Sequence, residues 1–296
     1  MTIAKLPSYG GQALIEGVLM RGSKFLAAAF RIPSGEIVVQ TEKLPGVYYG
    51  PLRKIPFLRG LILLWDSLGL GTRFLTISAN HQGGEEVKIE GPTLFFSLGI
   101  ALVFGVAIFF LLPALVSLGI EKLLGLSGWS GSLIEGILRL FILVGYIAFM
   151  GRIPDIARVF AYHGAEHKTI NAFEAGADLT PEKVMGFSLE HPRCGTSFLL
   201  TLVLLSIIFF SFLGPLPIFW RLASRIIFIP LLATVAYEYI RWTANHLNNR
   251  LIRWLIWPNL ALQRLTTREP TPDMLEVSIT AFKTMLNLEE DVPSIL

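Results

Sequence analysis

Thr93 to Ile120 reads T-L-F-F-S-L-G-I-A-L-V-F-G-V-A-I-F-F-L-L-P-A-L-V-S-L-G-I and meets no charge until Glu121. About 20 apolar residues at about 1.5 Å rise each cross a hydrocarbon core about 30 Å thick, so this stretch spans a bilayer with length to spare. The rest of the chain agrees with it. Of 296 residues, 53% are hydrophobic and only 16% charged, and the mean hydropathy is +0.59, values that suit an integral membrane protein and not a soluble domain.

Working outward, Leu133–Gly151 is a second span, interrupted by Glu135 and Arg139. These stand i, i+4 and either neutralise each other inside the bundle or pair near an interface. Phe198–Trp220 is a third span, broken near its far end by Gly214-Pro215-Leu216-Pro217, and Arg225–Trp242 is a fourth, with Glu238 near its end. Phe57–Ser78 is apolar too, but Arg59, Asp66 and Arg73 recur every seven residues in one stripe, which favours an interfacial helix over a fifth span. A polar loop is expected over Asn80–Glu90. Arg250–Trp257, with Arg253, Trp254 and Trp257, reads as an interfacial anchor, and Thr271-Pro272-Asp273 starts an amphipathic helix that runs to about Leu288.

The first 56 residues are polar enough to lie outside the bilayer, and their opening shows no cleavable signal peptide. Gly10 to Gly22 is glycine-rich and suits tightly turning strands, while Pro33-Ser34-Gly35 separates two short strands at Ala28–Ile32 and Glu36–Lys43. The expected fold is therefore mainly α-helical and membrane-integral, with about four transmembrane helices, interfacial helices and a small β-containing N-terminal lobe. Its segments are 1–56 (lobe), 57–92 (interfacial helix and loop), 93–151 (first transmembrane pair), 152–197 (helical loop), 198–242 (second pair) and 243–296 (anchor and C-terminal helix).

With four spans, both termini and the 152–197 loop share one side. All but four of the 25 lysines and arginines lie there; Lys122, Arg221 and Arg225 fall on the other side and Arg139 within a span. Positive charge concentrates on the cytoplasmic face, so the termini and this loop are expected in the cytoplasm. The net charge of +3 suits anionic headgroups, making membrane lipid the expected partner, with self-association open. No basic run with interleaved aromatics suggests nucleic acid.

The chemistry concentrates in that loop. Residues 154–175 form a helix, opened by Pro154-Asp155 and stopped by Gly176, and a short helix follows Thr180-Pro181-Glu182. His163 and His167 stand i, i+4, which puts both imidazoles on one helix face within reach of one divalent ion, zinc foremost. With Glu166 they make His-x-x-Glu-His, the inverted zinc-protease pattern, in which the glutamate is the general base. His191-Pro-Arg-Cys194 adds two more donors, Cys194 being the single cysteine of the chain. Four protein ligands would close a structural site, whereas three leave a catalytic position open. Glu238 is a further ligand candidate, Arg193 a candidate for a carbonyl or phosphate, and Glu16 and Arg21 either reach the site from the lobe or pair with each other. The readings that follow are a metal-dependent hydrolase, a non-catalytic scaffold or assembly factor with a structural metal, and a transporter, for which only Glu135, Arg139 and Glu238 are available as charges within spans.

Gly-Gly-Gln-Ala at 10–13 with Glu-Gly-Val at 16–18, Lys-Ile-Pro-Phe-Leu-Arg-Gly at 54–60, Tyr-His-Gly-Ala-Glu-His-Lys-Thr-Ile-Asn at 162–171, Arg-Cys-Gly-Thr-Ser-Phe at 193–198 and Leu-Gln-Arg-Leu-Thr-Thr-Arg-Glu-Pro at 262–270 together resemble the bacterial YqhQ family. The resemblance covers nearly the whole chain. It implies a multi-pass membrane protein of a family without assigned function, often labelled a predicted metal-dependent enzyme. Cys194 matches the family pattern, while Ala172-Phe173 stands where similar members often carry Cys-Tyr.

Overall fold

The computed structural model describes residues 9–46, 50, 55–83, 91–126, 129–214 and 216–290. The opening read for a signal peptide, most of the 80–90 loop, the Asp66 side chain of the charged stripe and Pro215 of the third-span break lie outside the described residues. The fold is mainly α-helical with one four-stranded sheet near the N-terminus. It divides into two units, residues 1–88, 150–194 and 263–296 in one and residues 89–149 and 195–262 in the other.

In the first unit, β1 (Gly10–Leu14), β2 (Gly17–Arg21), β3 (Phe25–Arg31) and β4 (Ile37–Lys43) form an antiparallel meander in sequence order. The β1–β2 hairpin turns on Ile15-Glu16, with Leu14 opposite Gly17. Glu16 takes a left-handed φ of 52° there, and its carbonyl accepts from the Arg31 N–H at 2.8 Å. The expected hairpin at Pro33-Ser34-Gly35 is present, with Gly35 at φ 90°, the left-handed conformation that a residue without Cβ adopts at no steric cost.

Side chains alternate between the two faces of a strand, and this sheet is covered on both. Val18, Met20, Ala27 and Ala29 pack against α5 (Pro154–Glu174) and α10 (Pro272–Glu290), whose Tyr162, Ala165, Leu275, Phe282 and Met285 complete one core. Leu19, Leu26 and Ala28 pack with Phe74 of α1 (Leu58–Gln82) on the opposite face. α1 therefore runs into the stretch expected as loop, because Ser78 and Gln82 are anchored: Ser78 Oγ accepts from the Ile15 N–H at 3.2 Å and Gln82 donates to the Arg31 carbonyl at 2.6 Å. Its other face leaves Trp65 79% and Leu68 61% exposed. The Glu289 carboxylate of α10 accepts from the N–H groups of Lys24 and Phe25, closing the β2–β3 turn.

The second unit holds four helices long and apolar enough to cross a membrane: Gly91–Leu124, Trp129–Met150, Gly195–Phe212 and Phe219–Ala244. The first comprises α2 (Gly91–Val106), a π-helical turn (Ala107–Leu111) and α3 (Leu112–Leu124). The π turn has a local cause. Pro113 lacks an N–H and its ring crowds the carbonyl four residues earlier, that of Phe109. The turn widens, and the Phe109 carbonyl accepts from Arg139 Nε at 2.9 Å instead.

Arg139 belongs to α4 (Trp129–Met150), and it and Glu135, 4% and 1% exposed, bond each other at 2.7 Å and so neutralise each other among the helices. The fourth span begins earlier than its reading. α8 (Ile218–Ala244) starts seven residues earlier than read, and Arg221 and Arg225 lie inside it, both bound to Glu135. A carboxylate on a neighbouring helix lets a guanidinium enter a bundle that composition alone would deny it. α6 (Pro181–Val184), α7 (Gly195–Phe212) and α9 (Arg250–Thr266), which covers the anchor read at 250–257, complete the helices among the described residues.

Candidate functional site

α5 carries the central residues, and Gly176 at φ 72° ends the segment as expected. His163 and His167 leave one face with ring centroids 4.4 Å apart. Their tautomers are set by carbonyls, which can only accept. His163 Nδ1 donates to the Thr266 carbonyl at 2.8 Å and His167 Nδ1 to the Leu189 carbonyl at 2.5 Å. Each ring therefore keeps its Nε2 lone pair for a ligand, and an outer-shell bond on the second nitrogen is what orients metal-binding histidines.

Cys194 meets them. Its Sγ lies 3.2 Å from His163 Nε2, and one ligand atom from each of His163, His167 and Cys194 falls within 4.8 Å of the others. A tetrahedral zinc with N at about 2.0–2.1 Å and S at about 2.3 Å spaces its ligand atoms by about 3.4–3.6 Å, a spacing these three donors reach with side-chain shifts of about 1 Å or less. Cys194 is held by the turn in which its N–H donates to the His191 carbonyl. That turn is clamped by Gln263, whose Oε1 accepts from the His191 N–H and whose Nε2 donates to the His191 carbonyl, each at 2.9 Å.

His191 is not in this group. Its Nε2 faces Glu174 at 3.7 Å and Arg193 at 3.5 Å. Burial pushes the His191 imidazole below its ordinary range, with Glu174 pulling the other way. Burial likewise pushes the Glu174 carboxyl up, but the bonds and charges of His191 and Arg193 outweigh it and leave it lowered. Arg193 is thus engaged with Glu174. Glu238 lies on α8 in the other unit. Glu16 turns to Arg158, which it binds through both carboxylate oxygens at 2.6 Å, and to the Tyr162 hydroxyl at 3.3 Å. Arg21 ends β2, opposite Leu26.

Glu166 is 5% exposed. Burial pushes its carboxyl up to about 7, against the pull of the His163 ring and of the Gly11 N–H that it accepts. A Cβ on Gly11 would stand 2.9 Å from the Glu166 side chain and 2.6 Å from the Leu19 carbonyl oxygen, so the glycine is what lets β1 approach the carboxylate. Lys168, also buried, donates to the Met185 carbonyl at 2.6 Å and pairs with Glu269 at 3.0 Å. Spacing had singled out the histidines, Glu166 and Cys194. Gln263 and the Thr266 carbonyl had no such signal beyond lying within the 262–270 motif.

A family model described as a protein of unknown function (DUF1385) matches residues 55–288. The uncharacterized protein YqhQ of Bacillus subtilis (strain 168) is 33% identical over 300 aligned residues, covering 96% of this chain and 93% of its own. No solved structure matches. With most of its length matched by the model, and near full-length likeness to YqhQ, the chain belongs to the DUF1385 family, whose function is unknown.

Proposed function

We propose that this protein is a metal-dependent hydrolase acting at the cytoplasmic surface of the membrane, with His163, His167 and Cys194 as ligands of a divalent ion, zinc foremost. The supporting observation is the convergence of three ligand atoms within 4.8 Å, beside a buried carboxylate, while the fourth donor from the sequence turns to Glu174. Three protein ligands leave a position open, the arrangement of catalytic rather than structural zinc. A bound ion would supply Lewis acidity and an activated water. Glu166, one residue before His167 and held by the Gly11 N–H, would take a proton as general base. The Thr266 and Leu189 carbonyls hold the imidazoles in the ligand tautomer. The concentration of lysine and arginine on the side shared by the termini and the 152–197 segment supports the cytoplasmic placement.

A second reading keeps the ion as a structural tie in a scaffold protein, favoured by the near-complete burial of His167 and Cys194 at 1% and 5% exposure. Metal content by mass spectrometry on tag-free protein in detergent tests both. About one zinc-like ion per chain, lost in His163→Ala and Cys194→Ala, is expected, and its absence from folded, chelator-free protein sinks both. Glu166→Gln separates them: as base it loses function with metal retained, whereas a scaffold keeps both.

A further inference from the structure

Within the membrane-spanning unit, five acidic and basic side chains meet. Glu135 accepts from Arg139, Arg221 and Arg225 at 2.7–3.1 Å, and Arg221 also donates to Glu121 at 3.1 Å. All but Glu121 have side chains no more than 7% exposed; Glu121, at 19%, stands at the edge. Arginine stays protonated in proteins, so three guanidinium groups against two carboxylates leave an excess of one positive charge. An uncompensated charge at this depth is costly. Arg139 and Arg225 each make three hydrogen bonds among the described residues out of the five N–H groups a guanidinium carries. Donor capacity and charge are therefore both left over at the same place.

The depth says which anion. The cluster lies where α3 hands over to α4 and α7 to α8. Glu135 and Arg139 are six and ten residues into α4, Arg221 and Arg225 three and seven into α8, which puts their backbones about 5–15 Å from the helix starts, with side chains that lean back toward those starts. Trp129 and Trp220 are 62% and 60% exposed at those starts, the aromatic residues of an interfacial belt. A planar guanidinium fork matches the oxygens of a phosphate, and phosphates of lipid headgroups lie at this level. We propose that the Arg139–Arg221–Arg225 cluster binds the phosphate group of an anionic phospholipid, distinct from the histidine–cysteine site.

Thermal unfolding of the full chain in neutral detergent tests this, with phosphatidylglycerol, diacylglycerol of the same acyl chains, and inorganic phosphate as probes. At tenfold excess over its Kd, phosphatidylglycerol is expected to raise Tm by about 2–3 °C, and diacylglycerol to leave it unchanged. Arg225→Gln, which makes the cluster neutral, abolishes the shift, while Glu121→Gln, which raises the excess to two, brings saturation at lower lipid. A matching rise with inorganic phosphate alone supports the phosphate site but makes the ligand a soluble ion. No rise with either probe, or an equal rise in Arg225→Gln, overturns the proposal. Should Arg225→Gln not fold, an unchanged lipid midpoint in Glu121→Gln overturns it.

Discussion

The Phe109 carbonyl, which Pro113 four residues later would crowd in a regular helix, is bound by Arg139 from the neighbouring helix. The proline ring and the arginine thus solve one problem from two sides: a backbone acceptor denied its own helix is satisfied by a side chain that itself needs partners away from water.

Arg139→Lys keeps the charge but not the fork that reaches Phe109, Ser206 and Glu135 at once. An ammonium cannot serve all three, so a buried acceptor loses its bond. The expected loss is about 1–3 kcal/mol, read as a lowered unfolding midpoint in detergent with the helical content unchanged.

Gly10 and Gly11 are neighbours in β1 with opposite tolerance. A Cβ at Gly10 meets nothing within 4 Å, whereas at Gly11 it runs into a backbone oxygen and Glu166. Gly10→Ala should stay within about 0.5 kcal/mol of wild type, and Gly11→Ala should cost about 1–3 kcal/mol. Parallel thermal melts of the two variants check it.

Gln263→Leu removes both bonds that the side chain makes to the His191 backbone. The His191 N–H loses its partner while its carbonyl keeps the Cys194 N–H, a loss of about 1–3 kcal/mol. If Cys194 ligates an ion, its turn loosens as well, and metal retained against a chelator falls in the same variant that melts early.

Acid should open the β1–β2 hairpin before the rest of the sheet. The Arg158 hydrogen bonds hold the Glu16 carboxyl below its ordinary value of 4.5 against the opposing effect of burial. A depressed folded pKa contributes stability that is present above the unfolded value and is lost as pH falls through the folded one. Hydrogen exchange at Ile15–Gly17 should therefore quicken below about pH 4.5, and Glu16→Gln should show the quick exchange already at neutral pH.

The sequence made the spans and the strands legible because each is a local pattern. Thr93–Ile120 is uncharged over its whole length, and Pro33-Ser34-Gly35 brackets its hairpin. The histidine pair was legible for the same reason, as spacing on one helix. Partner choice was not. His191 and Cys194 stand three residues apart, yet one faces Glu174 and the other His163, a difference made by Gln263 some 70 positions away. Arg221 read as a residue between spans and Arg225 as the first of one, yet both lie inside α8, accepted by Glu135 about 90 positions earlier. α1 ran past its expected end because Ser78 and Gln82 find backbone partners in the sheet region.

The lobe that contains the histidine–cysteine group is assembled from three separated stretches of chain, and the carboxylate closing its β2–β3 turn is that of Glu289. During synthesis the strands leave the ribosome first and α10 among the last elements. Val18, Met20, Ala27 and Ala29 therefore lack α5 until two of the four apolar helices have been made, and α10 until all four have. For that interval the nascent lobe is a client for chaperones, and stalled or prematurely terminated translation products should be cleared by quality-control proteases even when every span has entered the bilayer.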